Sequence, residues 1–378
     1  MKDDINIKNQ KNMQEYSDHY LVTGEDKPID GENNMERIGE IQDHPLYHLV
    51  DDRNKIESGE KIDNSPQENF FDKINTYNSP FLQMDIPHRK QILSHWFRAG
   101  SLGYIFGMRG SGKTWFAWKM AICISKGEDF GPWKCERPWR TLYVDGEMPL
   151  ESMQERLKLL DPSPDKDLIF ISHEIAAMQE SIFLNLGNKD QQDMLLDYCL
   201  RKNVKVVFLD NLSCLFYGMR ENEADDWERV SPWLLKFRQN GIAVVILHHA
   251  NREGTAMRGT SRREDAAFWV IKISKNHNGN DKRKGAFFTT SFEKNREDAG
   301  GTERNLDWSF VTENGRTQVT YAPTDMRAKI YDLIRDGIES CSDLAEEVGI
   351  TKGMVSRYAT DLSQKGLIKK QGNLYIPA

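Results

Sequence analysis

The eight residues Gly107–Thr114, GMRGSGKT, constrain the fold of this chain more than any other segment. Glycine, four residues, glycine, lysine and threonine is the spacing of a loop that wraps backbone N–H groups around phosphate oxygens. Such a loop works only between a buried strand, which fixes its start, and a helix, whose N-terminus favours an anion. The flanks supply both. SLGYIF before it is an apolar run of strand length, and TWFAWKMAICISKG after it is long enough for a helix that stops at Gly127. Gly107, Met108, Arg109, Gly110, Ser111 and Gly112 are therefore expected to line the cradle with Lys113 and Thr114. Lys113 would reach the β- and γ-phosphates and Thr114 would hold Mg²⁺ through its hydroxyl, so ATP with Mg²⁺ is the expected ligand.

The surrounding pattern is α/β. TLYVDGEM, DLIFIS, VKVVFLD and IAVVILHH are near-continuous apolar runs, separated by amphipathic stretches such as PLESMQERLKLL and DDWERVSPWLLKFRQN. Apolar strands alternating with helices imply a mostly parallel sheet covered on both faces, with ligands outside the carboxyl ends of its strands. The polar residue at each strand tip is thus the place to look for chemistry. Asp210 ends VVFLD, about a hundred residues after the phosphate loop, and is expected to hold Mg²⁺ or its water as a Walker B carboxylate. Glu147, at the exit of TLYVDGEM, is expected to orient or deprotonate the attacking water; Asp145 is the alternative, though its neighbours suit a turn residue. His248 and His249 end IAVVILHH. No Cys, Asp or Glu at ligand spacing accompanies them, so a γ-phosphate contact fits better than a metal site.

Charge divides the chain. Residues 1–85 hold nine Lys/Arg and nineteen Asp/Glu, a net −10, whereas the whole chain carries −7. That arm lacks periodicity, and residues 1–80 are expected to be a disordered acidic arm ahead of an ATPase core over 81–322 and a C-terminal domain over 323–378. The island HPLYHLV is its one candidate docking segment. Five scattered cysteines without a C-x-x-C pair suit a reducing compartment. No apolar run approaches the roughly 20 residues of a membrane span, and MKDDINIKNQ is no secretory leader. A cytoplasmic protein without membrane partners is expected.

Taken in order, phosphate loop, glutamate, Walker B aspartate and polar sensor resemble the RecA-like ATPases, and more closely the hexameric replicative helicases of the DnaB and plasmid RepA types. LHHANR (Leu247–Arg252) is similar to the helicase motif L-S-Q-L-N-R, with His249 on the glutamine that senses γ-phosphate; RepA-type enzymes carry histidine there. MRGTSRREDAA resembles the stretch that follows the DNA-binding loop of these helicases. EKNREDAGG places Lys294 and Arg296 on the K-x-R pair that reaches into the neighbouring subunit's ATP site. The resemblance covers roughly residues 85–322. It implies catalytic roles for Lys113, Glu147, His249, Lys294 and Arg296, a homo-oligomer, specifically a hexamer, and single-stranded DNA in a central pore. Arg252 and Arg258 are expected to face that pore, while Arg262 and Arg263 either join them or pair with Glu253, Glu264 and Asp265. No helical collar precedes the core, which fits the small RepA branch.

The last fifty residues resemble a winged helix-turn-helix. MRAKIYDLIRDGI has Met326, Ile330, Leu333, Ile334 and Ile338 on one helical face. In SDLAEEVGITKGMVSRYATDL, Ala345 would pack between helices, Gly349 make the turn and Val355 anchor the second helix; GLIKKQGNLYIPA reads as the wing. Lys352, Ser356 and Arg357 would then face duplex DNA, with Lys369 and Lys370 near phosphates. Eight basic and eight acidic residues leave no positive excess, so a protein dock stays open as the alternative. Three function classes follow: a ring-forming ATP-driven DNA helicase of a plasmid or other mobile element, an ATPase that assembles on DNA without unwinding it, and a DNA-binding regulator switched by nucleotide.

Overall fold

The computed structural model describes residues 70–219, 224–259, 262–275, 285–298, 303–348 and 350–378. Nearly all of the expected acidic arm, including HPLYHLV, and the expected turn residue Gly349 lie outside them. The chain divides into two units, 1–77 and 78–378. Of the first, residues 70–77 are described, and they begin with a short helix, Phe70–Ile74.

The second unit is built on a nine-stranded sheet. A small hairpin, β1 (Gln91–Leu93) and β2 (Phe97–Arg98), precedes it. The sheet strands are β3 (Leu102–Gly107), β4 (Thr141–Asp145), β5 (Leu168–Ser172), β6 (Val206–Asp210), β7 (Ala243–His249), β8 (Trp269–Lys275), β9 (Gly285–Asn295), β10 (Leu306–Glu313) and β11 (Arg316–Pro323). Their spatial order is β11-β10-β9-β8-β3-β7-β6-β4-β5. The six strands from β8 to β5 are parallel, and β9 to β11 extend the sheet antiparallel. The parallel half is α/β as its apolar runs require. Each strand alternates between two cores. Ile105, Tyr143, Phe208 and Val245 pack on one face with the helix Lys113–Lys126. Tyr104, Val144, Leu209 and Ile246 pack on the other with Lys189–Arg201 and Ser231–Gln239. Both faces are buried, so the strand sequences carry no polar alternation.

One close approach sets how β8 meets β3. Gly103 and Trp269 are register partners, and a Cβ on Gly103 would lie 2.1 Å from the indole. Only glycine leaves room for that ring, which also meets Trp96 and Phe97 edge-on.

After β11 come three helices, Met326–Arg335, Cys341–Val348 and Lys352–Gln364, then a hairpin of β12 (Ile368–Gln371) and β13 (Leu374–Pro377). They enclose their own core of Ile330, Ile334, Leu344, Ala345, Val348, Val355, Ala359 and Leu362. Asp325 and Thr351 cap the first and third helices through their side chains. Among the described residues no helix is long and apolar enough to cross a membrane.

Candidate nucleotide site

The phosphate loop leaves β3 at Gly107 and enters the helix Lys113–Lys126. Gly110 and Gly112 take φ of 69° and 100°, values that L side chains avoid. A Cβ on Gly112 would also strike Phe288 Cδ1 at 2.4 Å, and one on Gly107 the carbonyl oxygen of Ile273 at 2.3 Å. The loop is thus held between β8, β9 and its own helix, with no space for side chains at these two positions. The helix ends on Gly127, whose N–H returns to the Cys123 and Ile124 carbonyls.

Lys113 lies inside this loop, its Nζ donating to the carbonyls of Gly107 (3.0 Å) and Met108 (2.9 Å). Burial lowers its pKa to about 8, against the opposing pull of Asp210 and Glu147. The hydroxyl of Ser111 is buried without a partner among the described residues, an orphaned polar atom on the cradle floor. Met108 and Arg109 face outward.

Four strand tips surround the loop. Because β7 lies between β3 and β6, its tip stands between the phosphate loop and the Walker B strand: His249 is the register partner of Gly107. Asp210 and Asp145 face each other across β6 and β4. Asp210 is 3% exposed, accepts from the Tyr143 hydroxyl at 2.7 Å and is bonded by the Thr114 side chain. Burial, reinforced by Asp145, pushes its carboxyl up to about 7. A buried acid so destabilised as an anion is one that a cation would stabilise.

The two acids on the loop after β4 divide their work. Asp145 Oδ1 accepts from the backbone N–H groups of Glu147 (2.8 Å) and Met148 (2.7 Å), which makes it the turn residue; burial raises its pKa. Glu147 is exposed, and its Oε2 accepts from the Asn211 side-chain amide, while Asn211 Oδ1 takes the N–H of Cys214 at 3.2 Å. Asn211 is 1% exposed and rigidly placed. It holds the Glu147 carboxylate, whose charge reaches Lys113 in the loop.

The segment after β7 folds back on itself. Ala250 pairs with Met257, the Ala250 N–H donates to the Gly107 carbonyl at 3.0 Å, and Asn251 Oδ1 caps Thr255 N–H at 3.0 Å. A Cβ on Gly254 would meet the Met108 side chain of the phosphate loop at 3.4 Å, an ordinary contact distance. Arg252 and Arg258 are exposed. Arg262 pairs with Glu228. Arg263 is 3% exposed, with Nη1 2.8 Å from His248 Nε2 and 3.0 Å from the Arg258 carbonyl, so it braces the loop from inside.

Lys294 and Arg296 are elsewhere. Lys294 partners Val270, which partners Tyr104, and the Arg296 N–H donates to the Phe268 carbonyl, next to the start of β3. Their side chains donate to the carbonyls of Glu264 and Asp265. Five residues of strand, about 16 Å, separate the level of Arg296 from the phosphate loop, and three residues, about 10 Å, separate that of Lys294. At the far end of the chain, Lys352, Ser356 and Arg357 are exposed on the helix Lys352–Gln364, and Lys369 and Lys370 on the hairpin.

Sequence reasoning passed over Asn211 and Tyr143 and the buried bracing role of Arg263. The first was legible as the polar residue directly after the strand-tip aspartate. The other two depend on sheet register and burial, which a single sequence does not carry.

Residues 73–255 match the family model for an AAA domain, just under half of the chain. No curated protein matches the sequence. Among solved structures the chain is similar to the flagellar accessory protein FlaH from Methanocaldococcus jannaschii, at 13% identity and a TM-score of 0.42, over 59% of this chain and 91% of that one. The matched domain, the phosphate loop between a buried strand and a helix, and the parallel sheet together give this region the layout of a P-loop nucleotide-binding core.

Proposed function

We propose that this chain is the subunit of a ring-forming, ATP-hydrolysing DNA motor of the RepA helicase type. The observation that carries the reading is the split of the assigned machinery. Lys113, Thr114, Glu147, Asp210 and His249 converge at the carboxyl ends of β3, β4, β6 and β7, whereas Arg296 stands at the amino end of the same sheet and Lys294 half-way along it. A chain cannot bring its own Arg296 to its own phosphate loop, so the pair acts on a neighbouring copy if it acts on nucleotide at all.

In this reading the loop amides and Lys113 hold the triphosphate, and Thr114 with Asp210 would hold Mg²⁺, which supplies charge neutralisation between the phosphates when bound. Glu147, steadied by Asn211, takes the proton of the attacking water. His249, beside Gly107, stands where the γ-phosphate end of the site meets the loop bearing Arg252 and Arg258. These two arginines contact single-stranded DNA in the pore of a homo-hexamer, and the His248–Arg263–Arg258 contacts connect that loop to the sheet. The C-terminal helices and hairpin act as a winged helix whose Lys352, Ser356 and Arg357 bind duplex DNA or a partner protein.

Mixing inactive subunits tests this. Lys113→Ala chains keep the trans pair and Arg296→Ala chains keep the phosphate loop, so exchanged rings contain intact interfaces. ATPase activity returns on mixing if the reading is right. Demonstrated subunit exchange with no recovered activity removes the trans role. A forked duplex that the parent ring hydrolyses ATP upon but does not unwind would select the alternative, an ATPase that assembles on DNA.

A further inference from the structure

The amino-terminal edge of the parallel sheet, opposite the phosphate loop, carries a second cationic surface. Two cavities of about 220 and 600 Å³ open there and adjoin at Arg137, which lines both; together they are called the trough. It crosses the starts of β4 and β6, where the Lys205 N–H donates to the Arg140 carbonyl at 2.8 Å.

Some of its charge is already neutralised. Arg140 makes two bonds to Asp167, at 2.9 and 2.8 Å, and Arg89 and Arg98 share Glu297. Arg137, Lys205 and Lys90 form no ion pair among the described residues. Arg137 lies 4.0 Å from the centroid of the Trp139 ring, which fixes the plane of its guanidinium. Trp139 is 4% exposed, lines the smaller cavity, and its indole N–H finds no acceptor among the described residues. Burial lowers the Lys205 pKa, and Arg137 and Lys90 lower it further, so the three cations crowd one another. Like charges held this close around an open cavity are relieved by an anion placed between them.

We propose that this trough is a backbone-phosphate site for single-stranded nucleic acid, separate from the loop after β7, with Arg137 and Lys205 as its phosphate ligands and Lys90 on the adjoining cavity. A guanidinium held flat presents the planar fork that suits phosphate oxygens. The trough continues beyond one group, as a strand with repeated phosphates needs. An acidic peptide would also have to seat side chains, and the smaller cavity offers only Pro138 and Trp139 as apolar partners. The assignment is independent of the one made for Arg252 and Arg258.

The test uses the full chain and a fluorescein-labelled oligo(dT) probe, with anisotropy titrations across a salt series. The double variant Arg137→Gln/Lys205→Gln should bind about tenfold more weakly, with a log K against log salt slope shallower by about 1.4, the value for two lost single-strand phosphate contacts. The charge-keeping variant Arg137→Lys/Lys205→Arg should retain most of the slope. ATP hydrolysis without DNA should be unchanged, since the site is at the far end of the strands. Lys158→Gln/Lys189→Gln, the same charge change elsewhere on the surface, should leave the slope in place. Unchanged affinity and slope in the first variant, or an equal loss in the surface control, overturns the proposal. So does a variant that keeps oligo(dT) binding but loses binding to a polyglutamate probe, which would assign the trough to an acidic polypeptide.

Discussion

The Gly107 carbonyl accepts from both Lys113 Nζ and the Ala250 backbone N–H, each at 3.0 Å. The lysine assigned to phosphate and the first residue of the β7 loop therefore share one acceptor. In the proposed reading, a shift of Lys113 toward a phosphate would leave Ala250 as the remaining donor of the two, so the base of the loop that carries Arg252 would feel the state of the nucleotide site.

Hydrolysis should separate from binding along these contacts. Lys113→Ala should abolish nucleotide binding, read by fluorescent-nucleotide titration. Glu147→Gln should bind ATP normally yet turn it over at least about a hundredfold more slowly. Asn211→Ala, which frees Glu147 without removing it, should fall between these two, roughly tenfold below the parent, with ATP affinity unchanged and the pH profile of kcat displaced. Normal turnover in Glu147→Gln would transfer the role to Asp145.

Gly112→Ala should cost stability as well as binding. The new methyl meets Phe288 at a backbone angle of +100°, two penalties at one position. A loss of about 2 kcal/mol or more in denaturant unfolding is expected, as for other residues forced into this region. Gly218→Ala is the control: its φ is also positive but nothing lies within 4 Å, so its loss should be smaller.

Acid stability should register Asp161. Burial pushes this carboxyl up, but bonds from Lys126, at 2.5 Å, and from Ser163 outweigh it and hold the pKa at about 2. The unfolded value is near 3.8, so the folded state prefers the anion. The resulting stability is present at neutral pH and is lost as pH falls from about 4 to about 2. Asp161→Asn should therefore melt below the parent at pH 7, and the gap should close by the acid end of that window. A gap independent of pH would mean that the ion pair contributes nothing.

Single-strand binding should be weakened by Arg252→Ala/Arg258→Ala, with a shallower salt slope, because the contacts expected of these exposed arginines are sequence-independent phosphate contacts. Arg263→Ala should act differently. Its side chain is buried against His248 and the Arg258 carbonyl, so the expected result is a lower Tm accompanying any DNA defect.

The parallel half of the sheet was legible because buried parallel strands read as uninterrupted apolar runs, and the phosphate loop fixed which of them is β3. VVFLD and IAVVILHH announced their tips as well, and with them Asp210 and His249. The strand order was not legible. Nothing in a linear chain says that β7 inserts between β3 and β6, yet that insertion puts His249 beside Gly107. The β1–β2 hairpin escaped notice because it is too short to show a period. Arginines in the loop after β7 looked alike in sequence; only burial separates Arg263 from Arg252 and Arg258.

The placement of Arg296 a strand's length from the phosphate loop also bears on control. If Arg296 acts in trans as proposed, a subunit that offers its phosphate loop at one end of the sheet and its finger at the other would be silent when dilute, since completing a site would take a meeting of copies. Specific activity would then read local abundance: the rate should climb faster than protein concentration and collapse on dilution, with no inhibitor involved. For the same reason damage would act one subunit away: a chain that has lost Arg296 would silence a healthy neighbour's site while its own phosphate loop stays served, so each faulty copy would disable one site that is not its own.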